Sequence, residues 1–271
     1  MLSHPSPARA GEAQADGVRP SLEGMDLGLT DRVYLVTGGS KGLGFATASA
    51  LVAEGARVVI TGRTEETVAA AAAGLGAVGV ACDNADPATP GRLLAAARDA
   101  YGRVDGLLVS VGGPPSGSVT AASDEQWRDT FESVFLGAVR LAREVAAELG
   151  DGGSIAFVLS SSVRAPIGTL GISNGLRPGL AMVAKSMANE LGPLGVRVNG
   201  LLPGRIATDR MAALDAQATP DERAATLATI PLGRPGDPAE FGRVAAFVLS
   251  PAASYLTGVM LPVDGGMLPG L

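Results

Sequence analysis

Histidine and cysteine are almost absent from this chain, and each absence removes a class of chemistry. The 271 residues include one histidine, His4, and one cysteine, Cys82. A single cysteine cannot close an intrachain disulfide or build a multi-cysteine metal site. A single histidine likewise argues against a histidine-ligated metal centre and against a histidine-based catalytic triad. We therefore predict no bound metal, and Cys82, at the end of an apolar strand, is interpreted as a packing residue.

Positive charge and long apolar runs are also scarce. Lysine and arginine number 21 against 27 acidic residues, for a formal net charge of −6. A nucleic-acid surface needs clustered basic residues, so this balance argues against one. No stretch approaches the roughly 18 uninterrupted apolar residues of a membrane span. We expect a cytoplasmic protein that has a small-molecule substrate and neither nucleic acid nor a membrane as partner.

Strand and helix signals alternate along most of the chain. Residues 1–27, rich in proline, glycine, alanine and serine, predict a disordered extension, and residues 28–271 predict one domain. Apolar strands are predicted over residues 33–36, 58–61, 78–81, 107–109, 155–159 and 196–199 and from 259. The helices between them include two long ones, 124–149 and 173–191. This alternation predicts a single Rossmann-type α/β fold, a doubly wound parallel sheet of about seven strands with helices on both faces. The segment 205–236 breaks the alternation and is predicted to form a lid.

A glycine-rich loop follows the first predicted strand and opens a helix. It reads Thr37-Gly38-Gly39-Ser40-Lys41-Gly42-Leu43-Gly44. Glycine permits the tight turn and lets backbone N–H groups approach a pyrophosphate at a helix N-terminus. The last glycine allows close packing of helix on strand. The loop predicts a dinucleotide site formed by Thr37, Gly38, Ser40, Lys41, Gly42, Leu43 and Gly44.

The end of the second strand indicates which dinucleotide is bound. An NAD site usually has an acid there, on the ribose 2′-hydroxyl. Here the chain reads Thr61-Gly62-Arg63, without an acid. Arg63 and Lys41 can instead pair with a 2′-phosphate. These residues favour NADP(H) over NAD(H), and Asp83 and Asn84, after the third strand, suit contacts with the adenine edge.

Several motifs in the same order resemble one known family. Beyond the glycine loop and Asp83, they are Asn199, Pro203-Gly204, Thr208, Pro231-Leu232-Gly233-Arg234, Ala253-Ser254-Tyr255-Leu256-Thr257-Gly258 and Val263-Asp264-Gly265-Gly266. Over residues 31–271 the chain resembles the classical short-chain dehydrogenases/reductases, especially the 3-oxoacyl-[acyl-carrier-protein] reductase-like branch. The resemblance implies that Pro203, Gly204, Ile206 and Thr208 flank a nicotinamide, that Gly112 lies on the cofactor, and that the protein forms a homodimer or homotetramer.

The same alignment departs from the family where its catalytic residues should stand. The family's serine falls on Ser160, its tyrosine on Ser173, its lysine on Arg177 and its asparagine on Val134. In the family, the tyrosine exchanges a proton with the substrate oxygen, and the lysine lowers the tyrosine's pKa and holds the ribose hydroxyls of the cofactor. The resemblance therefore implies that Arg177 also binds the cofactor, by keeping a cation near the ribose. A serine hydroxyl is a weaker and shorter acid, and a guanidinium is effectively always protonated.

Three functions remain open from the sequence. The first is an NADP(H)-dependent oxidoreductase for a carbonyl/alcohol pair, in which Ser160 and Ser173 position the carbonyl, Arg177 stabilises the oxyanion and water supplies the proton. The second is an NADP(H)-binding sensor or partner protein without turnover. The third is non-redox chemistry in the same cleft. Polar residues at the altered positions favour an enzyme over a binding protein.

Overall fold

Seven parallel strands form one sheet in the computed structural model, which describes residues 26–216 and 218–270. The strands are β1 (Val33–Val36), β2 (Arg57–Gly62), β3 (Val78–Ala81), β4 (Gly106–Val109), β5 (Ser154–Val158), β6 (Arg197–Pro203) and β7 (Met260–Val263). Their order across the sheet is β3-β2-β1-β4-β5-β6-β7. The predicted doubly wound parallel sheet is confirmed, with each strand within a few residues of its expected place.

Two helical layers cover the sheet. The helices are α1 (Gly42–Ala53), α2 (Glu65–Leu75), α3 (Thr89–Tyr101), α4 (Asp124–Thr130), α5 (Gly137–Ala146), α6 (Gly171–Leu191), α7 (Asp209–Asp215), α8 (Pro220–Ala228) and α9 (Pro238–Leu249). One core packs α1, α2 and α9 on the sheet, and the other packs α3, α5 and α6. Successive residues of β1 alternate between them, because strand side chains point to opposite faces.

The chain before β1 also packs on the sheet. Leu29 is buried and Leu27 lies against the same core. Residues 1–25 of the predicted disordered extension lie outside the described residues, so the division into 1–27 and 28–271 stays a prediction. Among the helices of the described part of the chain, none is both long and apolar enough to cross a membrane.

The helix predicted over 124–149 is interrupted, so the prediction of one continuous helix was wrong. Between α4 and α5 the residues Phe131–Leu136 form a π-helical segment. The buried positions Thr130, Val134, Gly137, Leu141 and Val145 stay three or four residues apart through this segment, so periodicity does not reveal its π-helical hydrogen bonds. Gly137 follows the segment, and a Cβ atom there would overlap the backbone oxygen of Asn84. The helix therefore passes against the loop after β3.

The segment 205–236 follows β6 at the carboxyl edge of the sheet. It contains α7 and α8, and its two ends meet in a bridge between Ile206 and Gly236. The two helices are short and carry many exposed residues. The lid stays a prediction; the structure shows that the two ends of the segment are joined and that most residues of α8 are exposed.

Candidate active site

The predicted site residues gather at one edge of the sheet. In a parallel sheet the loops that follow the strands all leave from the same edge, so residues after β1 to β6 are brought together there. The strand order reverses at β1, which lies between β2 and β4. In open α/β sheets ligands bind in the crevice at that reversal.

The glycine loop needs its glycines for steric reasons. Gly38 has φ 58°, and a Cβ atom on it would overlap the backbone oxygen of Ser110. A Cβ atom on Gly44 would overlap the backbone oxygen of Gly38, so α1 can pack on the loop only with glycine there. Thr37 is fully buried, and its hydroxyl donates to the oxygen of Ser110 and accepts from its N–H. The Thr37 side chain thus joins the loop to the end of β4.

The N-terminus of α1 has no capping side chain. Lys41 precedes the helix without a side-chain capping bond, and the first turn has no acidic residue. The backbone N–H groups of the first turn of a helix have no intrahelical partner and, with the helix dipole, favour an anion. Gly42, Leu43 and Gly44 present these groups, and the exposed Lys41 adds a positive charge beside them.

The end of β2 lies directly against this loop. The N–H of Gly39 donates to the oxygen of Thr61 at 2.8 Å, and a Cβ atom on Gly62 would come within 2.8 Å of the Ser40 hydroxyl. Arg63 is therefore held near Ser40 and Lys41. Among the described residues no carboxylate forms an ion pair with Arg63 or Lys41, so two unpaired cations flank the loop.

The residues after β3 form a turn that is stabilised by hydrogen bonds within the segment. One carboxylate oxygen of the exposed Asp83 accepts from the N–H of Ala85 at 2.9 Å. The backbone oxygen of Asp83 accepts the hydroxyl of Thr89, and the backbone oxygen of Asn84 faces Gly137. Asp83 and Asn84 thus lie at the carboxyl edge of the sheet, with the other predicted site residues. The second carboxylate oxygen of Asp83 makes no hydrogen bond to the described residues.

The segment after β6 reaches back over α1. The Thr208 methyl group is 3.8 Å from where a Cβ atom of Gly42 would be, and Ile206 is buried. Gly204 lies against Asp264, leaving no room for a side chain. Pro203, Gly204, Ile206 and Thr208 therefore lead from the sheet to the open helix terminus, and the exposed Gly112 stands on the neighbouring loop after β4.

Ser162, which sequence reasoning did not assign, contacts Ser173. Their hydroxyl oxygens are 3.2 Å apart, and both side chains are buried. The Ser160 hydroxyl instead accepts the N–H of Ser162 at 3.1 Å and begins a short 3₁₀ turn. Ser160 thus holds Ser162 in place. The run of three serines after β5 was the only sequence signal for this contact.

Arg177 is buried beneath the cleft, with 4% of its surface exposed. Its Nη1 donates to the backbone oxygen of Val158 at 2.6 Å, which ties α6 to the end of β5. Burial, and to a smaller degree the positive charge of Arg210, lowers the pKa of Arg177 from its ordinary value to about 10. Arg177 is therefore still a cation at neutral pH and holds its proton.

The other polar residues beside the cleft have structural partners. Asn174 bonds both the N–H and the oxygen of Ile167, at 3.0 and 2.8 Å, and fixes the loop before α6. Arg205 forms an ion pair with Asp215 inside the lid. Val134, at the asparagine position, is buried in the π-helical segment and offers no polar group.

None of the chain's three tyrosines, all of them in the described residues, takes the place of the missing one. Tyr34 is fully buried in β1, where its hydroxyl donates to Leu249 and burial raises its pKa to about 12. Tyr101 ends α3, and Tyr255 is fully exposed beside β7. The part of the cleft after β5 and along α6 thus has serine hydroxyls and a guanidinium, but no phenol.

Comparison with known proteins agrees with this architecture. The family model described as "Enoyl-(Acyl carrier protein) reductase" matches residues 38–268. A 3-oxoacyl-[acyl-carrier-protein] reductase of Vibrio cholerae is 35% identical over 245 residues, 89% of this chain and 99% of that protein. The Escherichia coli enzyme of the same name is 34% identical over 240 residues, 87% and 97% of the two chains.

A solved structure shows the same fold. L-Sorbose reductase from Gluconobacter frateurii, described as complexed with NADPH and L-sorbose, has a TM-score of 0.82 and 30% identity. The match covers 91% of this chain and all of that one. The chain belongs to the short-chain dehydrogenase/reductase family of oxidoreductases.

Proposed function

We propose that this protein is an NADP(H)-dependent oxidoreductase acting on a carbonyl/alcohol pair, with Ser173 and Arg177 in place of the family's tyrosine and lysine. The observation that carries the proposal is the intact glycine loop, with its open helix terminus and two unpaired cations. The relatives support it, since the sorbose reductase is described with NADPH and two others are named as reductases.

The cofactor would lie across the crevice in a defined order. The N–H groups of Gly42, Leu43 and Gly44 suit a pyrophosphate, and Lys41 and Arg63 suit a 2′-phosphate. Asp83 and Asn84 are assigned to the adenine end. The remaining assigned residues, at the nicotinamide end, are Gly112, Pro203, Gly204, Ile206 and Thr208. NADP(H) when bound supplies or accepts the hydride.

The protein's own groups would orient the substrate and balance its charge. We assign carbonyl positioning to Ser160 and Ser173, with Ser162 sharing a hydrogen bond with Ser173. The cation of Arg177 would stabilise negative charge that develops on the substrate oxygen. A positioned proton donor contributes about 10²–10⁴ in rate, and this site would lose that factor and draw its proton from water.

Calorimetric titration with NADPH and with NADH tests the cofactor assignment. We expect NADPH to bind at least about tenfold more tightly, because a phosphate gains charge-assisted bonds to Arg63 and Lys41. Arg63→Gln should remove most of that preference, whereas Lys185→Gln, which removes an exposed charge from α6, should retain it. Binding of neither nucleotide would contradict the proposal.

A single-turnover measurement then separates an enzyme from a silent binding protein. Bound NADPH is mixed with a panel of ketones and aldehydes, and its absorbance at 340 nm is followed. Oxidation that depends on one carbonyl class supports the oxidoreductase. Tight NADPH binding without oxidation by any compound would favour the sensor.

We also propose that two or four copies associate through α4, α5 and α6. Phe131 stacks on Phe135 with ring centroids 5.2 Å apart, and Phe131 and Met182 expose 43% and 68% of their surface. Such apolar groups on neighbouring helices are suited to a second copy. Light scattering should give a dimer or tetramer, and Met182→Glu should shift it toward monomer. A monomeric wild type would contradict this.

A further inference from the structure

The chain after β6 crosses the crevice in which the dinucleotide is placed. The Thr208 methyl group lies 3.8 Å from where a Cβ atom of Gly42 would be, at the start of α1 and after β1. Two residues further on, the side chain of Arg210 reaches the loop after β4. Since β1 and β4 are neighbours at the reversal of the strand order, the loops that follow them border the crevice. Residues 208–210 therefore lie beside both of its sides.

Arg210 contacts the loop after β4 through a pair of hydrogen bonds. Its Nη1 donates to the oxygen of Gly113 at 2.7 Å, and its Nη2 donates to the oxygen of Pro114 at 2.8 Å. The planar guanidinium holds two donors in a fixed fork, which suits two successive backbone oxygens. A Cβ atom on Gly113 would come within 2.6 Å of both nitrogens, so the guanidinium has room only because this residue is a glycine.

The loop that receives Arg210 is itself fixed to the body of the protein. Pro114 is buried. Further along the loop, the N–H of Gly117 donates to the oxygen of Thr169 at 2.8 Å, and the N–H of Gly171 donates to the oxygen of Gly117 at 2.9 Å. The loop after β4 is thus bonded to the segment that leads into α6. It gives Arg210 an anchored partner.

The helix that carries Arg210 is held on the protein by polar contacts and not by a core. None of the side chains of α7 that the structure describes is buried. At the other end of α7, Asp215 pairs with Arg205, which belongs to the start of the same segment. A helix of seven residues is marginal without tertiary packing, and regions with few buried apolar contacts open at a low free energy. A few polar contacts therefore decide whether α7 stays against the loop after β4.

We propose that Arg210 is a latch that closes the segment 205–236 over the cofactor crevice and sets the rate at which a dinucleotide enters and leaves. The proposal rests on the proposed function, since it describes the regulation of the same site. In the latched state Arg210 is bonded to the residues that follow Gly112, which is assigned to the nicotinamide end. Breaking the two hydrogen bonds lets α7 move away and opens the crevice. Opening steps of this kind limit product release in many enzymes.

Amide hydrogen exchange of the full chain without nucleotide tests the latch itself. Arg210→Gln removes the guanidinium. Gly113→Ala keeps Arg210 but displaces its guanidinium, and alanine fits the backbone there because Gly113 has no positive φ. Each variant should accelerate exchange in peptides that cover 205–216 by about tenfold, because hydrogen bonds from a charged donor are lost. The double variant should exchange no faster than the single variants, since both changes remove the same contact.

Stopped-flow fluorescence with NADPH tests the gate. A closed latch obstructs entry as well as exit, so we expect both the association and the dissociation rate constants to rise, by about tenfold, in Arg210→Gln and in Gly113→Ala. Loss of a direct contact with the nucleotide would instead act mainly on dissociation. Arg223→Gln is the matched control, because Arg223 is an exposed arginine in α8 of the same segment. It should keep the wild-type exchange and both wild-type rate constants.

The possible failures are distinguishable. Wild-type exchange in the α7 peptides of both variants would overturn the latch. Faster exchange with unchanged NADPH rate constants would overturn the gate, and so would a rise in the dissociation rate constant alone. Binding of neither nucleotide to the wild type would overturn the proposed function and the gating of a dinucleotide with it, whereas the latch is decided by hydrogen exchange alone.

Discussion

Arg197 and Arg177 are both buried arginines at an end of the parallel sheet, but they lie at opposite edges. Arg197 begins β6, and its guanidinium donates to the oxygens of Val248, Leu249 and Ser250. Arg177, at the carboxyl edge, donates to one oxygen. The guanidinium of Arg197 is thus bonded to several backbone oxygens and has a structural role. The guanidinium of Arg177 has one hydrogen bond to the described residues and lies at the edge where the predicted site residues gather.

The largest expected effect is on the structural arginine. Arg197→Met should lower the free energy of unfolding by about 3–5 kcal/mol, because it leaves several buried carbonyl groups without a donor. Arg177→Met should change it by less than about 1 kcal/mol, because the lost bond is offset by removal of a poorly compensated charge. Urea denaturation of both variants measures this. A loss at Arg177 as large as that at Arg197 would remove the distinction between them.

The next effect concerns the cofactor loop. Gly44→Val should weaken NADPH binding at least about 100-fold, or about 2.8 kcal/mol, because the new side chain would separate α1 from the loop. Gly74→Ala in α2 is the control, since a Cβ atom there meets nothing within 4 Å. Calorimetry gives both affinities. Normal binding by Gly44→Val would show that the loop does not hold the cofactor.

A third prediction restores the family's catalytic pair. The double variant Ser173→Tyr with Arg177→Lys should gain about tenfold or more in carbonyl reduction, because a phenol with a nearby ammonium is a better proton donor. The measurement is NADPH oxidation in steady state. Arg177→Lys alone, without the phenol, should show no such gain. An unchanged double variant would favour the sensor or non-redox chemistry.

The smallest effect is the pH dependence of stability. Burial lowers the pKa of Arg177 to about 10 in the folded protein, so above about pH 10 the unfolded chain, in which the pKa keeps its higher ordinary value, binds more protons. The contribution of Arg177 to the free energy of unfolding therefore rises with pH. Between pH 8 and pH 10.5 the wild type should gain about 1 kcal/mol relative to Arg177→Met. Urea denaturation at pH 8 and 10.5 checks it. A constant difference would mean that Arg177 titrates normally.

Local patterns were sufficient to predict the sheet and the cofactor loop. Apolar runs separated by helical segments define parallel strands, and the steric demand on Gly44 is visible as a spacing because it is met by Gly38 within one strand–loop–helix unit. The contact of Gly38 with Ser110, after β4, is not visible in that spacing. The π-helical segment was not predictable, because the apolar positions on both sides of it continue the same pattern. The resemblance to a family identified Ser173 and Arg177 by position alone.

The sequence by itself determined the order of the elements, the glycine loop, the absence of an acid after β2 and the loss of the tyrosine, because each is a local or aligned feature. Only the tertiary structure decided that Ser162 contacts Ser173, that Arg197 donates to several backbone oxygens while Arg177 donates to one, and that Arg210 donates to the loop after β4. These facts depend on contacts between residues 11 to 97 positions apart in the chain. Hydrogen bonding and burial at such separations are set by how the layers pack, and no local pattern records them.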